Sequence, residues 1–298
     1  MTSYRTGQLV MLCAAVVWSS AGVLQRQVHA GAATQVADRA VFAALAIFAA
    51  VVAGERRNTV RAFRSLGRWG IAGVVPWAIA SSLFILALNY TTVANVLFWQ
   101  ATAPMMAALL AWVLLGERVR RRTWGAMALA LVGVVLMVGG GVEGGVPAVV
   151  IPLVMTVAFA VVIVLSRHRS DISLAPAAFI SQLLVIAVVG PFAAMGSASA
   201  TDWGLLALLG AIVACGIVLM TIAARRIPAA EVAIITLLQI VLGPLLVWLA
   251  YREQPSVGAL VGGAVIMAAV VVQAAGDLRR RHVPLEHEHG ASAQAARV

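Results

Sequence analysis

Hydrophobic residues fall along this chain in ten long runs, separated by short polar segments rich in arginine. The runs cover residues 7–25, 35–53, 70–89, 93–115, 123–140, 147–166, 174–193, 203–223, 229–250 and 256–275. Each approaches the roughly 20 apolar residues that a helix needs to cross the hydrocarbon core of a bilayer. Lipid satisfies no backbone polar group, and none of the runs alternates like a barrel strand, so the spans are expected to be helices. Composition agrees with that solvent. Of 298 residues, 62% are hydrophobic and 11% charged, and mean hydropathy is +1.00. A soluble chain of this length has too little interior to hide so much apolar surface. The run from Gly7 to Leu24 is longer than a usual signal-peptide core and nine more follow, so it reads as an uncleaved first helix.

Arginine supplies the orientation. The net charge of +10 comes from arginine alone, because lysine is absent. One alternating set of segments holds 18 of the 21 arginines, in groups around Arg5, Arg61, Arg120, Arg167, Arg225 and Arg280; Arg26, Arg39 and Arg252 fall elsewhere. The positive-inside rule then places both termini in the cytoplasm of a bacterial-type inner membrane. Topology also accounts for the basic balance, so no nucleic-acid partner is expected; the bilayer and a small-molecule substrate are. The two cysteines, Cys13 and Cys215, lie inside apolar runs and suggest neither a disulfide nor a metal site.

One phrase occurs twice. LLAWVLLGE runs from Leu109 to Glu117 and LLVWLAYRE from Leu245 to Glu253, an offset of 136 residues. The same offset pairs Ala94 with Ala230, Val96 with Val232 and Val134–Val135 with Val270–Val271. A repeat near half the chain length means two similar halves. These are residues 1–140 and 141–276, with five spans each, followed by a flexible cytoplasmic tail at 277–298. Five is odd, so the second half is inverted relative to the first. The expected fold is therefore an all-α integral membrane protein of ten transmembrane helices, built as two inverted five-helix repeats, an architecture used by secondary transporters. Nothing in the sequence fixes an oligomeric state, and a monomer suffices for this architecture.

Three stretches carry a resemblance. AAVVWSSAG (Ala14–Gly22) sets a tryptophan before small residues, and VADRAVFAAL (Val36–Leu45) carries an arginine near the opening of the second span. NYTTVANVLFWQATAPMMAALLAWVLLGERV (Asn89–Val119) places Pro104 thirteen residues before Glu117. In their order and spacing they resemble the EamA branch of the drug/metabolite transporter superfamily, over all ten spans. The second half departs from the family at Gln239–Ile240, where Glu-Pro is common, so this chain lacks the carboxylate that proton coupling there would use. The resemblance implies export or uptake of small polar or amphipathic metabolites, commonly amino acids, through a central cavity.

Polar and aromatic side chains inside spans are the candidates for such a cavity. Gln100 and Gln239 fall well inside the fourth and ninth spans, near equivalent positions of the two repeats, and form the strongest pair. Ser19, Ser81 and Thr156 are further hydrogen-bonding candidates, with packing or bonding back to their own helix as the alternative use of a hydroxyl. Trp18, Trp77 and Trp99 lie within spans; Trp18 precedes Ser19 and Trp99 precedes Gln100, an arrangement suited to an amphipathic or aromatic substrate. Trp69, Trp124 and Trp203 sit at span ends, as an interfacial belt does. Pro104 and Pro244 interrupt spans and are candidate hinges.

Intramembrane charge is scarce. Asp38 and Arg39 stand near the start of the second span, as a structural ion pair or a contact for a substrate carboxylate. Glu231 follows Pro228 at the start of the ninth span, where ordinary helix capping competes with a protonatable gate. No chain of acidic or histidine residues crosses the membrane, so facilitated exchange or weakly proton-linked transport fits better than a proton pump. No cofactor or metal is implied: His282, His287 and His289 lie in the polar tail, and His29 and His168 in loops. An integral membrane enzyme would need clustered acid, base or metal-ligating residues, which these are not. A nucleotide-sugar or phosphate-ester exchanger would need several intramembrane cations, and Arg39 is the one on offer. The leading expectation is a secondary transporter of amino acids or similar amphipathic zwitterions, working by alternating access.

Overall fold

The computed structural model describes residues 3–55, 58–116, 121–139, 144–168, 175–194, 198–224, 226–227, 232, 235–236, 238–252 and 254–281. Glu117, Glu231, Glu253 and the tail beyond Arg281 lie outside the described residues. The described residues are helical, with no strand among them. The helices are α1 (Ser3–Ser19), α2 (Ala21–Gln25), α3 (Ala32–Glu55), α4 (Thr59–Arg64), α5 (Gly67–Ala72), α6 (Val74–Leu88) and α7 (Val93–Ala101). They continue as α8 (Ala103–Leu115), α9 (Arg121–Gly139), α10 (Pro147–His168), α11 (Ala175–Val189), α12 (Ala200–Ala224), α13 (Leu238–Tyr251) and α14 (Val257–Arg281).

Seven of the expected spans are long and apolar enough to cross a membrane: Tyr4–Gln25, Ala32–Gly54, Gly67–Leu88, Val93–Val113, Pro147–Leu165, Ala175–Phe192 and Ala200–Ala223. The expected fifth, ninth and tenth spans correspond to shorter apolar helices at Thr123–Met137, Leu238–Tyr251 and Val257–Val272. Large aliphatic side chains stand exposed on the outside of the bundle, among them Leu45, Ile71, Val113, Leu131 and Leu249. Water would not tolerate so wide an apolar surface on a monomer; lipid does.

Three spans are broken, and the breaks follow from the sequence. The first is interrupted at Ser20, the third at Gly73 and the fourth at Thr102. Pro76 and Pro104 have no N–H to offer the carbonyls of Ala72 and Gln100, four residues earlier, so the helix cannot run through unaltered. Hydroxyls take up some of the slack: Ser20 Oγ donates to Val17 O at 2.7 Å and Thr102 Oγ1 to Trp99 O at 2.7 Å. Pro104 thus stands at the start of a new helix, α8, whereas Pro244 lies inside α13.

Packing between the halves is reciprocal. Counting α1–α2 as the first span, the first packs on the eighth (α1 on α12) and the third on the sixth (α6 on α10). The second packs on the eighth (α3 on α12), as the third does on the seventh (α6 on α11), and the first on the ninth (α1 on α13) as the fourth does on the sixth (α8 on α10). Exchanging each helix with the one five spans away maps one set of contacts onto the other. Second against seventh (α3 on α11), fourth against ninth (α7 on α13) and fifth against tenth (α9 on α14) map onto themselves. The last pair is closest at Gly133 and Gly262, where a Cβ on either would fall on the carbonyl oxygen of the other. Small residues at a crossing allow this backbone approach.

Candidate functional site

The most polar buried point within the spans joins three helices. On α3, Arg39 Nη2 donates to Ser81 O at 3.0 Å and to Ser81 Oγ at 2.7 Å, both on α6. From α11, Gln182 Nε2 donates to the same Ser81 Oγ at 3.4 Å and to Ser181 Oγ at 3.4 Å. Arg39 is 4% exposed, and Gln182 and Ser181 are fully buried. Two polar atoms in this cluster have no partner: Arg39 Nε and Gln182 Oε1. Such orphans are costly in a low-dielectric interior, so a cluster that keeps a donor and an acceptor open is a candidate for a ligand. Arg39 lies seven residues into α3, roughly 10 Å along the helix from its start at 1.5 Å per residue.

Two apolar clusters share the helices α3, α6 and α11 with these polar residues. One holds Val36, Ala40, Ala78, Ile85 and Val185. In the other, Ile47, Val51, Ala178, Ala214 and Ile217 pack together, with Trp18, Trp77 and Phe179 against them. Trp77 stands one turn before Ser81 on α6, so it shares that face of the helix. Trp18 lies over Gly216 of α12, where any Cβ would collide with the indole nitrogen. Of the residues the sequence singles out, the structure joins Arg39 and Ser81 directly, with Gln182 bonded to the same hydroxyl, and packs Trp18 and Trp77 against one apolar cluster that contains Ala178, one turn from Gln182. Nothing local in the sequence sets Gln182 apart from other polar residues within spans. Its partner Ser81 lies 101 positions away, a separation that no local pattern reports.

Asp38 is also buried, at 2% exposure. Adjacent helical residues diverge, so Asp38 and Arg39 do not face each other, and Arg39 bonds to Ser81 instead. Ser19 and Thr156 are likewise buried, and their hydroxyls bond back to their own helices: Ser19 Oγ to Ala15 O and Thr156 Oγ1 to Pro152 O, each at 2.7 Å.

The other expected residues gather elsewhere. Trp99 is 5% exposed inside the largest apolar cluster, with Met105, Met155, Ile240 and Ile266. Gln100 is half-buried at the break of the fourth span, and Gln239 is half-buried near the start of α13. The 136-residue offset pairs Gln100 with Thr236, which leaves Gln239 three residues away from the equivalent position. Pro104 and Pro244 flank this region on α8 and α13, and Gly243 packs against Leu97.

A second polar network closes one end of the bundle. Gln25 Nε2 donates to Gln35 Oε1 at 2.7 Å, and Asn89 Nδ2 to the same oxygen at 3.3 Å. Arg26 Nη1 donates to Leu88 O at 2.9 Å and Nη2 to Thr91 O at 3.0 Å. His29 N donates to Asp202 Oδ1 at 3.0 Å. These bonds tie the ends of α2, α3, α6 and α12. They also explain why Arg26 departs from the alternation of arginines: its guanidinium satisfies carbonyls left open at the end of α6.

The family model of EamA-like transporters matches residues 5–139 and again residues 146–274. The chain belongs to the EamA-like transporter family. Members of this family are transporters rather than enzymes, and this one has the form of a drug/metabolite-type transporter of small molecules. Among curated proteins, none matches the sequence. A solved structure described only as the crystal structure of a protein is 20% identical, with a TM-score of 0.63. The similarity covers 94% of this EamA-like chain and 99% of that one; at such identity it speaks for the fold.

Proposed function

We propose that this EamA-like protein is a ten-span secondary transporter whose two inverted five-helix halves rock about a central cavity, exposing it to each side of the membrane in turn. The reciprocal packing of the halves carries this reading. A bundle whose main contacts between halves map onto one another when the halves are exchanged suits two arrangements of similar energy, one open to each side, as alternating access requires. On this reading the seven long apolar helices are seven of the spans and the three shorter apolar helices belong to the other three. The arginine alternation favours cytoplasmic termini in an inner membrane, with the Gln25–Gln35–Asn89 network at the outer end.

The substrates on this reading are amino acids or other amphipathic zwitterions, aromatic ones included. Arg39 is the one arginine buried among the described residues, and Trp77, one turn from its partner Ser81, packs in the same apolar cluster as Trp18. A single buried cation beside indole rings suits a small zwitterion better than a phosphate ester, which would call for several cations. Transport by exchange is favoured, since Gln239 stands where a proton-coupling carboxylate would serve.

Reconstituted proteoliposomes test the proposal. Vesicles preloaded with unlabelled solute, run with and without a pH gradient, should accumulate labelled aromatic or aliphatic amino acids transiently by counterflow. A panel of such solutes that enters no faster than in protein-free vesicles would contradict it.

A further inference from the structure

We infer that Arg39, held by Ser81 against Gln182, is the carboxylate-binding group of the substrate cavity. The inference rests on the transporter reading and deepens it by naming the chemistry that the site recognises.

Three observations meet at this point. Arg39 is almost wholly buried, yet its Nε–H has no acceptor. A buried guanidinium kept as a structural bolt would be expected to satisfy its donors within the protein, because each one left open costs free energy. Here both bonds from Nη2 go to one residue, Ser81, which fixes the plane of the guanidinium and leaves Nε–H without an acceptor. Next, Gln182 Oε1 is an open acceptor on a fully buried side chain bonded to the same hydroxyl. An open donor on a cation and an open acceptor on a neutral amide, joined through Ser81, match a ligand that brings both an acceptor and a donor. Finally, the helices concerned come from both halves, α3 and α6 from the first and α11 from the second. Relative movement of the halves would therefore alter the site, which a transporter's cavity requires and a bolt within one half does not.

A carboxylate is the group that a guanidinium binds best among those that amphipathic metabolites carry, through charge-assisted hydrogen bonds in a planar fork. A ligand carboxylate would accept from Arg39 Nε–H. An ammonium on the same ligand would donate to Gln182 Oε1.

The test uses the full-length protein in detergent and three probes that share a benzyl group: phenylalanine, 3-phenylpropionate, which lacks the ammonium, and phenethylamine, which lacks the carboxylate. Aliphatic leucine and isocaproate extend the set. At about 10 mM, a site of millimolar affinity still raises the melting temperature. Carboxylate-bearing probes should stabilise the wild-type protein and phenethylamine should not. Arg39→Gln should weaken carboxylate binding about tenfold or more, Arg39→Lys less, and Ser81→Ala should give an intermediate loss with the charge still present. Equal stabilisation by phenethylamine, an Arg39→Gln protein that keeps its preference for carboxylates, or no stabilisation by any carboxylate would overturn the inference. The comparison among probes in the wild-type protein stands even if Arg39→Gln fails to fold. Carboxylate binding by a protein that passes no solute would uphold this site and contradict the transporter reading. Flux with unchanged preference in Arg39→Gln would do the reverse.

Discussion

Gly116 and Arg252, 136 residues apart, close their helices with the same left-handed turn. Gly116 has φ +66° and Arg252 has φ +56°. Each donates its amide to the tryptophan carbonyl four residues earlier, Gly116 to Trp112 O at 3.1 Å and Arg252 to Trp248 O at 2.9 Å. These are equivalent positions of the doubled phrase, so the repeat extends from sequence to backbone geometry. In one copy glycine occupies the turn at no steric cost; in the other an arginine is held there. Gly116→Val should lower stability by ~1–2 kcal/mol, the cost of a side chain in this region. Arg252→Gly should be neutral or slightly stabilising. Thermal unfolding of both variants in detergent checks the pair, and equal losses at the two positions would mean that the turns are not equivalent.

The contact between Trp18 and Gly216 leads to a second expectation. A Cβ at 216 would fall on the indole nitrogen, and the indole is boxed in by α12 on one side and the Ile47–Ala178 cluster on another. Gly216→Ala should cost ~1–3 kcal/mol through overpacking and should shift tryptophan fluorescence. If Trp18 forms a wall of the cavity, transport should fall more steeply than the amount of folded protein does.

Arg26 anchors the end network, and its removal should loosen that end alone. Two charge-assisted bonds to Leu88 O and Thr91 O contribute about 1.5–3 kcal/mol each, net of the hydration they replace. In Arg26→Met, hydrogen exchange should quicken across residues 25–35 and 88–95 and stay unchanged in α9 and α14. A uniform increase throughout the protein would indicate general destabilisation instead.

Gln100 separates the two candidate regions. It is half-buried at the broken fourth span and makes no side-chain hydrogen bond among the described residues. Gln100→Ala should lower counterflow without loss of folded protein if the cavity reaches the break at Thr102. Unchanged rates would confine substrate contacts to the Arg39–Ser81–Gln182 region.

Much of the fold was legible because membrane helices obey simple local rules. Apolar runs mark spans, and one candidate hinge marks a break: Pro104 sits two residues beyond the interruption at Thr102, whereas Pro244 lies inside an unbroken helix. Ser20 was less legible, since serine pairs occur in continuous helices as well. The candidate site was legible only in part. Arg39 stood out because charge inside a span is rare, and Trp18 and Trp77 because they lie away from span ends. Which polar groups meet depends on tertiary contacts between helices far apart in sequence. In sequence Gln182 is one amide within a span among several, and Arg26 departs from the alternation of arginines for a reason that only its bonds to Leu88 O and Thr91 O supply.

The central claim is that the two halves are oppositely oriented, and single-cysteine labelling tests it most directly. With Cys13 and Cys215 replaced by serine, Arg118→Cys and Gln254→Cys place one thiol just after each copy of the doubled phrase, 136 residues apart. A membrane-impermeant thiol reagent applied to intact cells should label the thiol at 254 and spare the thiol at 118 until the membrane is opened. Labelling of both from the same face would contradict the inverted arrangement.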